Sequence, residues 1–461
     1  MHGRLFSDRD LWRLIIPLAI EQVLLCTVGA VDTMMVSSLG EECVSGVSLV
    51  DMVNNFIIHI FSAIATGGAV VASQYLGAKQ EQTARDSAKQ LIKTTAAVAI
   101  VCMIITETFQ RFIIRGLFGE LSDGVMASSM TYFRITALSF PIIAVHASCS
   151  ALFRSMNKTN ITLLSSLISN IVNVAGNALL IYVVKWGVAG AAIATVFTRF
   201  CAMVMLLILL TNKNNTIYIT LRNWGHANWI LVRKILAIGI PSGIENGVFQ
   251  FGRLVVVGII AGFGTTQIAA NAVANNIDYF GCVVGSAFSL ASITVIGQAV
   301  GFGDEEQIRY YVKKIMTMAY KAHIIWNIIL FILTPFLLGF YELSEETTRL
   351  AVWLIIIHNG FGMLLWPMSF VFPNVLRAMN DVRFTMFASI GSMIVWRLGF
   401  SYILGKTLAW GALGVWTAMV IDWCCRIICF TWRYKSNRWR KYAFPKSNPQ
   451  VEVTPQQKAL S

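Results

Sequence analysis

Charged side chains are scarce in this sequence. Asp, Glu, Lys and Arg make up 13% of the 461 residues, about half of the roughly 25% usual in soluble domains, which excludes an ordinary soluble globular chain. Acids are scarcer than bases, 23 against 36, leaving a formal net charge of +13. In a soluble protein that excess would suggest nucleic acid; here it lies in loops between apolar runs, and no nucleic-acid partner is expected. The nine cysteines form no CxxC or CxxH pair, and only Cys43 falls in an expected outer loop, so disulfides and structural zinc are not expected. There is no Walker A lysine motif, no HExxH and no GxSxG. Chemistry on a substrate therefore has no visible apparatus, and neither an enzyme, a cofactor nor a metal site is expected.

Long apolar stretches are what the chain has in abundance: 56% of its residues are hydrophobic, and the mean hydropathy is +0.66. Runs of about twenty apolar residues read as membrane helices. They fall at 12–37, 46–72, 91–117, 128–152, 160–183, 188–211, 232–261, 268–297, 312–340, 348–375, 384–405 and 410–432. The first is too long for a signal-peptide core and reads as a retained span. The connections separate by charge. Arg4, Arg9 and Arg13, Lys79 and Arg85, Arg154 and Lys158, Lys213, Arg222 and Arg233, Arg309 and Lys313, and Arg377 and Arg383 lie on one side. Glu41 and Glu42, Glu120 and Asp123, and Glu342, Glu345 and Glu346 lie on the other. By the positive-inside rule the basic side is cytoplasmic, so both termini of a cell-membrane protein face inward. The basic tail 434–461 reads as solvated and close to anionic lipid headgroups.

The sequence also repeats itself at an offset of 224 residues. "IPLAIEQ" (16–22) overlies "IPSGIEN" (240–246), matching Pro17 with Pro241 and Glu21 with Glu245. Gly40 meets Gly264, "QYLGAKQEQTARDSAK" (74–89) meets "QAVGFGDEEQIRYYVK" (298–313), and Trp186 meets Trp410. "RSMN" at 154 echoes "RAMN" at 377, one residue out of step. The fold class expected is therefore all-α and polytopic, with twelve transmembrane helices in two pseudo-symmetric six-helix lobes. The N-lobe takes residues 1–226, the C-lobe 227–433 and the tail 434–461. Parallel repeats of this kind belong to transporters that bind substrate between halves and work by alternating access.

Departures from the repeat single out residues that the fold itself does not require. Asp32, in "AVDTMMVSSLG" (30–40), has no basic residue nearby in sequence and aligns with Val256. An ionised carboxylate in a membrane helix costs about 2.5–3.5 kcal/mol on insertion scales, which marks it as functional. Asn173 and Asn177, one turn apart on one face, align with Arg397 and Ser401, and Thr195 aligns with Met419. Oxygen donors around one carboxylate suit a proton or a hard monovalent cation. Glu21 and Glu245 each follow a proline by four residues. Each proline frees a carbonyl and tends to bend its helix, which places both glutamates, with Gln250, at a cavity or a helix contact. Arg397 and Asp422 read as a neutralising pair.

Together "IPLAIEQVLLCTVGAVDTMMVSSLG", "ASQYLGAKQ", "LFRSMNKT", "NVAGNALLIYVVKWGVAGAAIATV" and "VLRAMNDVRFT" resemble the multidrug and toxic compound extrusion (MATE) family over residues 10–433. The resemblance implies two lobes forming a V and drug export driven by inward movement of Na⁺ or H⁺. In members with an N-lobe cation site, Asp32, Asn173, Asn177 and Thr195 match the acid of span 1, the polar pair of span 5 and the Thr of span 6. Many members carry an Asp where this chain has Asn177. In members that use the C-lobe, Gln250 lies nearest the place of the span-7 Glu, and Trp366 occupies that of the span-10 Asp. The expected function is antiport of amphipathic, cationic organic compounds against H⁺ or Na⁺ by a monomer. The alternative is a lipid-linked saccharide flippase of the same superfamily.

Overall fold

The computed structural model describes residues 4–220, 227–341 and 343–444. Arg222, Glu342 and the tail beyond residue 444 lie outside them. Twelve helical segments follow in the expected order: α1 (Asp8–Ser37), α2 (Glu41–Gly77), α3 (Glu81–Phe118), α4 (Asp123–Ala137 and Phe140–Ser155, bent by 50°), α5 (Thr159–Val183), α6 (Gly187–Leu210), α7 (Trp229–Ala261), α8 (Thr265–Phe302), α9 (Glu305–Tyr341), α10 (Glu345–Ala378), α11 (Val382–Thr407) and α12 (Gly411–Lys435). Ten of these helices, or eleven with the bent pair, are long and apolar enough to cross a membrane. The remaining one, α1, has 30 residues and a length of about 45 Å at 1.5 Å per residue. Several helices outrun the apolar stretches that announce them, because their polar ends continue past the hydrocarbon; α3, for example, starts at Glu81.

The repeat has visible structural causes. Gly40 and Gly264 adopt φ of +102° and +101° immediately before α2 and α8, a conformation that glycine reaches without strain. The prolines Pro17 and Pro241 lie inside continuous helices. Pro17 cannot donate to the Arg13 carbonyl, and the Thr159 hydroxyl fills that gap, lying 3.3 Å from the Arg13 oxygen and 3.1 Å from that of Leu14.

The first halves of α1 and α7 are exchanged between the lobes. Leu11, Leu14, Ile15 and Leu18 are buried in the core that holds Val295, Ile296 and Ala299 of α8 and Ile308 and Tyr311 of α9. Ile235 and Ile238, at the repeat positions of Leu11 and Leu14, are buried beside Ile64, Val70 and Val71 of α2. Packing and chain order thus divide differently at each lobe's first helix. Each such helix belongs to one lobe by sequence and rests on the other.

The lobes meet at the ends that carry the basic loops. A Cβ at Gly77 would run into the Gln298 carbonyl, and one at Gly301, its repeat mate, into the Gln74 carbonyl. The two glutamines act reciprocally. Gln74 donates to the Ala378 carbonyl of the C-lobe at 2.9 Å, and Gln298 donates to the Ser155 carbonyl of the N-lobe at 2.8 Å. These bonds satisfy the last carbonyls of α10 and α4, which have no partner in their own helices. Nearer the acidic loops, Met52 on α2 and Phe251 and Leu254 on α7 are exposed.

The tail departs from the solvated segment expected. Residues 436–444 fold back on the C-lobe, with Trp439 fully buried and stacked on Tyr434 at 5.8 Å. Asn437 accepts from Arg309, Arg440 pairs with Glu305, and a short helix α13 (Arg440–Ala443) follows. The buried Trp439 and these polar contacts of Asn437 and Arg440 together anchor it. Cys43 lies on α2 rather than in a loop, and all nine cysteines are free.

Candidate functional site

Asp32 sits in the C-terminal part of α1, where that helix packs on α5. Asn177 donates its amide to the Asp32 carboxylate at 2.8 Å, and the Asn173 oxygen lies 3.3 Å from the same amide nitrogen. The four-residue spacing of the two asparagines on α5 does bring them together. Thr195 of α6 donates its hydroxyl to the Ala191 carbonyl of its own helix at 3.0 Å.

Two groups that sequence reasoning missed complete the cluster. Asp51 of α2 and Arg199 of α6 both act electrostatically on Asp32, and Tyr132 and Asn54 lie beside Asp51. Arg199 donates to the Ser139 hydroxyl at 2.8 Å. Asp32 is therefore neither without a basic neighbour nor the single carboxylate of the site. Its countercharge comes from a helix more than 160 residues on in sequence. A usable signal existed: at the offset of 224, Asp51 falls on Asn275 and Arg199 on Trp423, the same asymmetry that set Asp32 apart. Two carboxylates and one guanidinium leave the cluster a net charge of −1 with both acids ionised.

The paired glutamates behave alike. Glu21 is buried, accepts from the Thr162 hydroxyl at 2.7 Å and faces Arg154 at 3.6 Å. Glu245 is buried against Arg377 at 2.7 Å. Each repeat therefore binds the glutamate after its proline to the arginine of its own "RSMN" or "RAMN" motif. Sequence reading noted both motifs without joining them.

Glu245 and Arg377 also line a cavity of about 390 Å³ between α1 and α2 of the N-lobe and α7, α8, α10, α11 and α12 of the C-lobe. Its wall includes Gln22, His59, Asn246, Phe249, Trp366, Phe370, Asn374 and Arg426. Glu21 and Gln250 are not among its lining residues. Trp366 stacks on Phe370 at 5.0 Å, and Phe370 meets Phe249 edge-on at 5.8 Å. Behind this wall Asp422 is fully buried, 3.0 Å from Arg426 and 4.0 Å from Arg397, with Ser392 donating to it. The expected Arg397–Asp422 pair is thus shared with a nearer arginine one turn along α12.

Where no metal site was expected, Asp278, Cys282 and His358 bring their donor atoms within 4.8 Å of one another. Arg253 and Arg397 act on the same Asp278. Two guanidinium groups beside the carboxylate oppose a divalent cation, and the His358–Asp278 contact makes this a bonded polar cluster of the C-lobe.

The family model for MatE matches residues 17–179 and 241–403, two segments set apart by the same offset as the internal repeat and together covering more than half of the chain. The chain belongs to the MATE family. "Uncharacterized transporter YisQ" of Bacillus subtilis is 27% identical over 440 residues, covering 93% of this chain and 94% of that protein. "Probable multidrug resistance protein NorM" of Thermotoga maritima is 22% identical over 442 residues, 94% of each. Among solved structures, one titled as the outward-facing conformation of a multidrug resistance MATE transporter superposes with a TM-score of 0.85 at 20% identity, covering 94% of this chain and 96% of that one. Another, titled as MATE in the straight conformation, gives 0.85 at 19% identity over 94% and 97%. The MATE fold and a multi-pass membrane transporter follow, in agreement with the resemblance read from the sequence.

Proposed function

We propose that this MATE chain is a secondary antiporter that exports amphipathic organic compounds across the cell membrane in exchange for protons, with Asp32 as the coupling residue. The observation that carries the reading is the N-lobe cluster, in which Asp32, Asp51 and Arg199 combine to a charge of −1 that one proton neutralises. A sodium ion fits less well. Arg199 already brings a positive charge to the cluster, and the Asn177 amide hydrogens already engage the Asp32 carboxylate. Asp51 thus supplies a second carboxylate from α2 where Asn177 offers none on α5.

With the basic loops inside, the closed ends of the lobes are cytoplasmic and the arrangement is outward-facing. In this state Asp32 takes a proton from outside. Protonation changes what Asn177 and Arg199 can bond to at one end of α1, whose other end is packed in the C-lobe. A ligand shifts a two-state equilibrium only through contacts that differ between the states, and α1 is the element that touches both lobes. The reading is tested in proteoliposomes holding the purified chain, with H⁺ and Na⁺ gradients imposed separately. Export is expected to follow the proton gradient; export driven by Na⁺ alone would refute it.

A further inference from the structure

We propose that the N-lobe carries a headgroup site for an aminophospholipid between α3 and α4, in the leaflet away from the basic loops. Glu107 and Gln110 accept from the lipid's primary ammonium, and Arg111 and Arg134 receive its phosphate. These four residues line a cavity of about 420 Å³ together with Thr108 and Thr131. None of them belongs to the Asp32 cluster or lines the cavity of Glu245 and Arg377, so the site stands apart from the transport reading.

Depth and exposure place the cavity where a bilayer lipid reaches it. Lys93 lies toward the basic end of α3, and Arg111 follows 18 residues later, about 27 Å further at 1.5 Å per residue. The hydrocarbon core is about 30 Å thick, so Arg111 arrives at the opposite headgroup level. Ile104, Ile105 and Phe112 on the same helix are exposed, an apolar surface for the acyl chains. Arg111, Arg115 and Arg134 are bases on the side whose loops are otherwise acidic. The positive-inside bias does not account for them.

The internal repeat shows that the fold does not require this polarity. At the offset of 224, Glu107, Gln110, Arg111 and Thr131 fall on Phe331, Thr334, Pro335 and Ile355. Those four line the matching groove of about 580 Å³ between α9 and α10, beside Leu338 and Val352. Each lobe thus forms a groove at this place. Only the N-lobe furnishes it with charge.

The N-lobe groove has unmet bonding capacity of both signs. Gln110 is buried and gives its amide hydrogens to Glu107, 2.7 Å from the carboxylate and 3.2 Å from the carbonyl. The Gln110 oxygen and the second Glu107 carboxylate oxygen are buried and accept no hydrogen bond among the described residues. Buried acceptors without donors are costly to leave as they are. Neither Arg111 nor Arg134 has an ion pair or a hydrogen bond among the described residues, and Arg134 acts on Glu107 only from a distance. A primary ammonium joined to a phosphodiester answers both needs at once. It brings three N–H donors to the two oxygens and an anion to the guanidinium forks. A trimethylated ammonium has no N–H to give, and a glycerol headgroup brings no cation to Glu107.

The test is native mass spectrometry of the full-length protein, delipidated in detergent and titrated with dioleoyl phosphatidylethanolamine, phosphatidylcholine or phosphatidylglycerol. One phosphatidylethanolamine is expected to bind at least about ten-fold more tightly than either of the others, the worth of one charge-assisted contact. Glu107→Gln should remove that preference and leave phosphatidylcholine binding as it is. Arg111→Gln with Arg134→Gln should weaken all three lipids. If a variant does not fold, the wild type decides through the lipid ranking and through O-phosphoethanolamine, the same headgroup without chains, which should not displace the lipid at equal concentration. The proposal is overturned if phosphatidylcholine or phosphatidylglycerol binds as tightly, or if Glu107→Gln keeps the ammonium preference. It is equally overturned if the double arginine variant binds as the wild type does, or if O-phosphoethanolamine displaces the lipid at equal concentration. Binding is read without any gradient, so a failure of proton coupling leaves this result intact.

Discussion

Replacing Asp32 by Asn is expected to abolish proton-driven export, a fall of at least about 100-fold, while the protein inserts in normal amount. Asn keeps the size and can still bond to Asn177, but it cannot exchange a proton. The cluster would then sit near neutrality wherever Asp51 is ionised and balances Arg199. It would mimic the loaded state permanently, and the gradient would have nothing to act on. A ligand that no longer distinguishes two states cannot shift their populations. Transport into energised proteoliposomes, normalised to the amount of inserted protein, measures the fall. Substrate binding in the cavity lined by Glu245 and Arg377 should change little, because Asp32 is not among its lining residues. That separation tells a coupling defect from a folding defect.

The second large effect concerns stability. Glu245→Gln leaves Arg377 buried with its partner removed, 2.7 Å from a neutral amide. Breaking a buried pair from one side costs about 3–5 kcal/mol. The expected result is a marked drop in the thermal unfolding temperature of the purified protein. Replacing both residues, Glu245→Gln with Arg377→Gln, should recover a substantial part of the loss, because no unpaired charge remains. A double variant as unstable as the single one would mean that the pair holds the fold by shape and not by charge.

Much of this architecture could be read from the sequence, because its signals are periodic or repeated. Twelve apolar stretches gave the spans, and one constant offset gave two lobes of like orientation. The offset also separated positions that the fold needs from those it does not. Gly40 and Gly264 are matched because the same positive φ precedes α2 and α8. Asp32 and Val256 differ although their helices begin alike, so the fold does not require a carboxylate there.

What the sequence hid are contacts between helices far apart in the chain. Asp32 met Asn177 as spacing suggested, but Arg199 and Asp51 reach the cluster from α6 and α2, and nothing local announces them. Asp51 lies near one end of the apolar run 46–72, where an acid is usually solvated. The glutamates and the arginines of the repeated motifs were each visible, yet their pairing spans more than 130 residues. The exchange of α1 and α7 between the lobes was equally silent, since leucine and isoleucine pack on either lobe alike. The nearer partner of Asp422 was a different case: Arg426 lies one turn along the same helix, and sequence reading had paired Asp422 with Arg397 alone.

The central claim is that Asp32 couples proton loading to substrate movement, and substrate-driven proton flux tests it most directly. Proteoliposomes containing the full-length protein and a trapped pH indicator are supplied with a transported substrate on one side, with no imposed gradient. The wild type is predicted to move protons opposite to the substrate, and Asp32→Asn to move none. A proton flux in Asp32→Asn equal to that of the wild type would contradict the account.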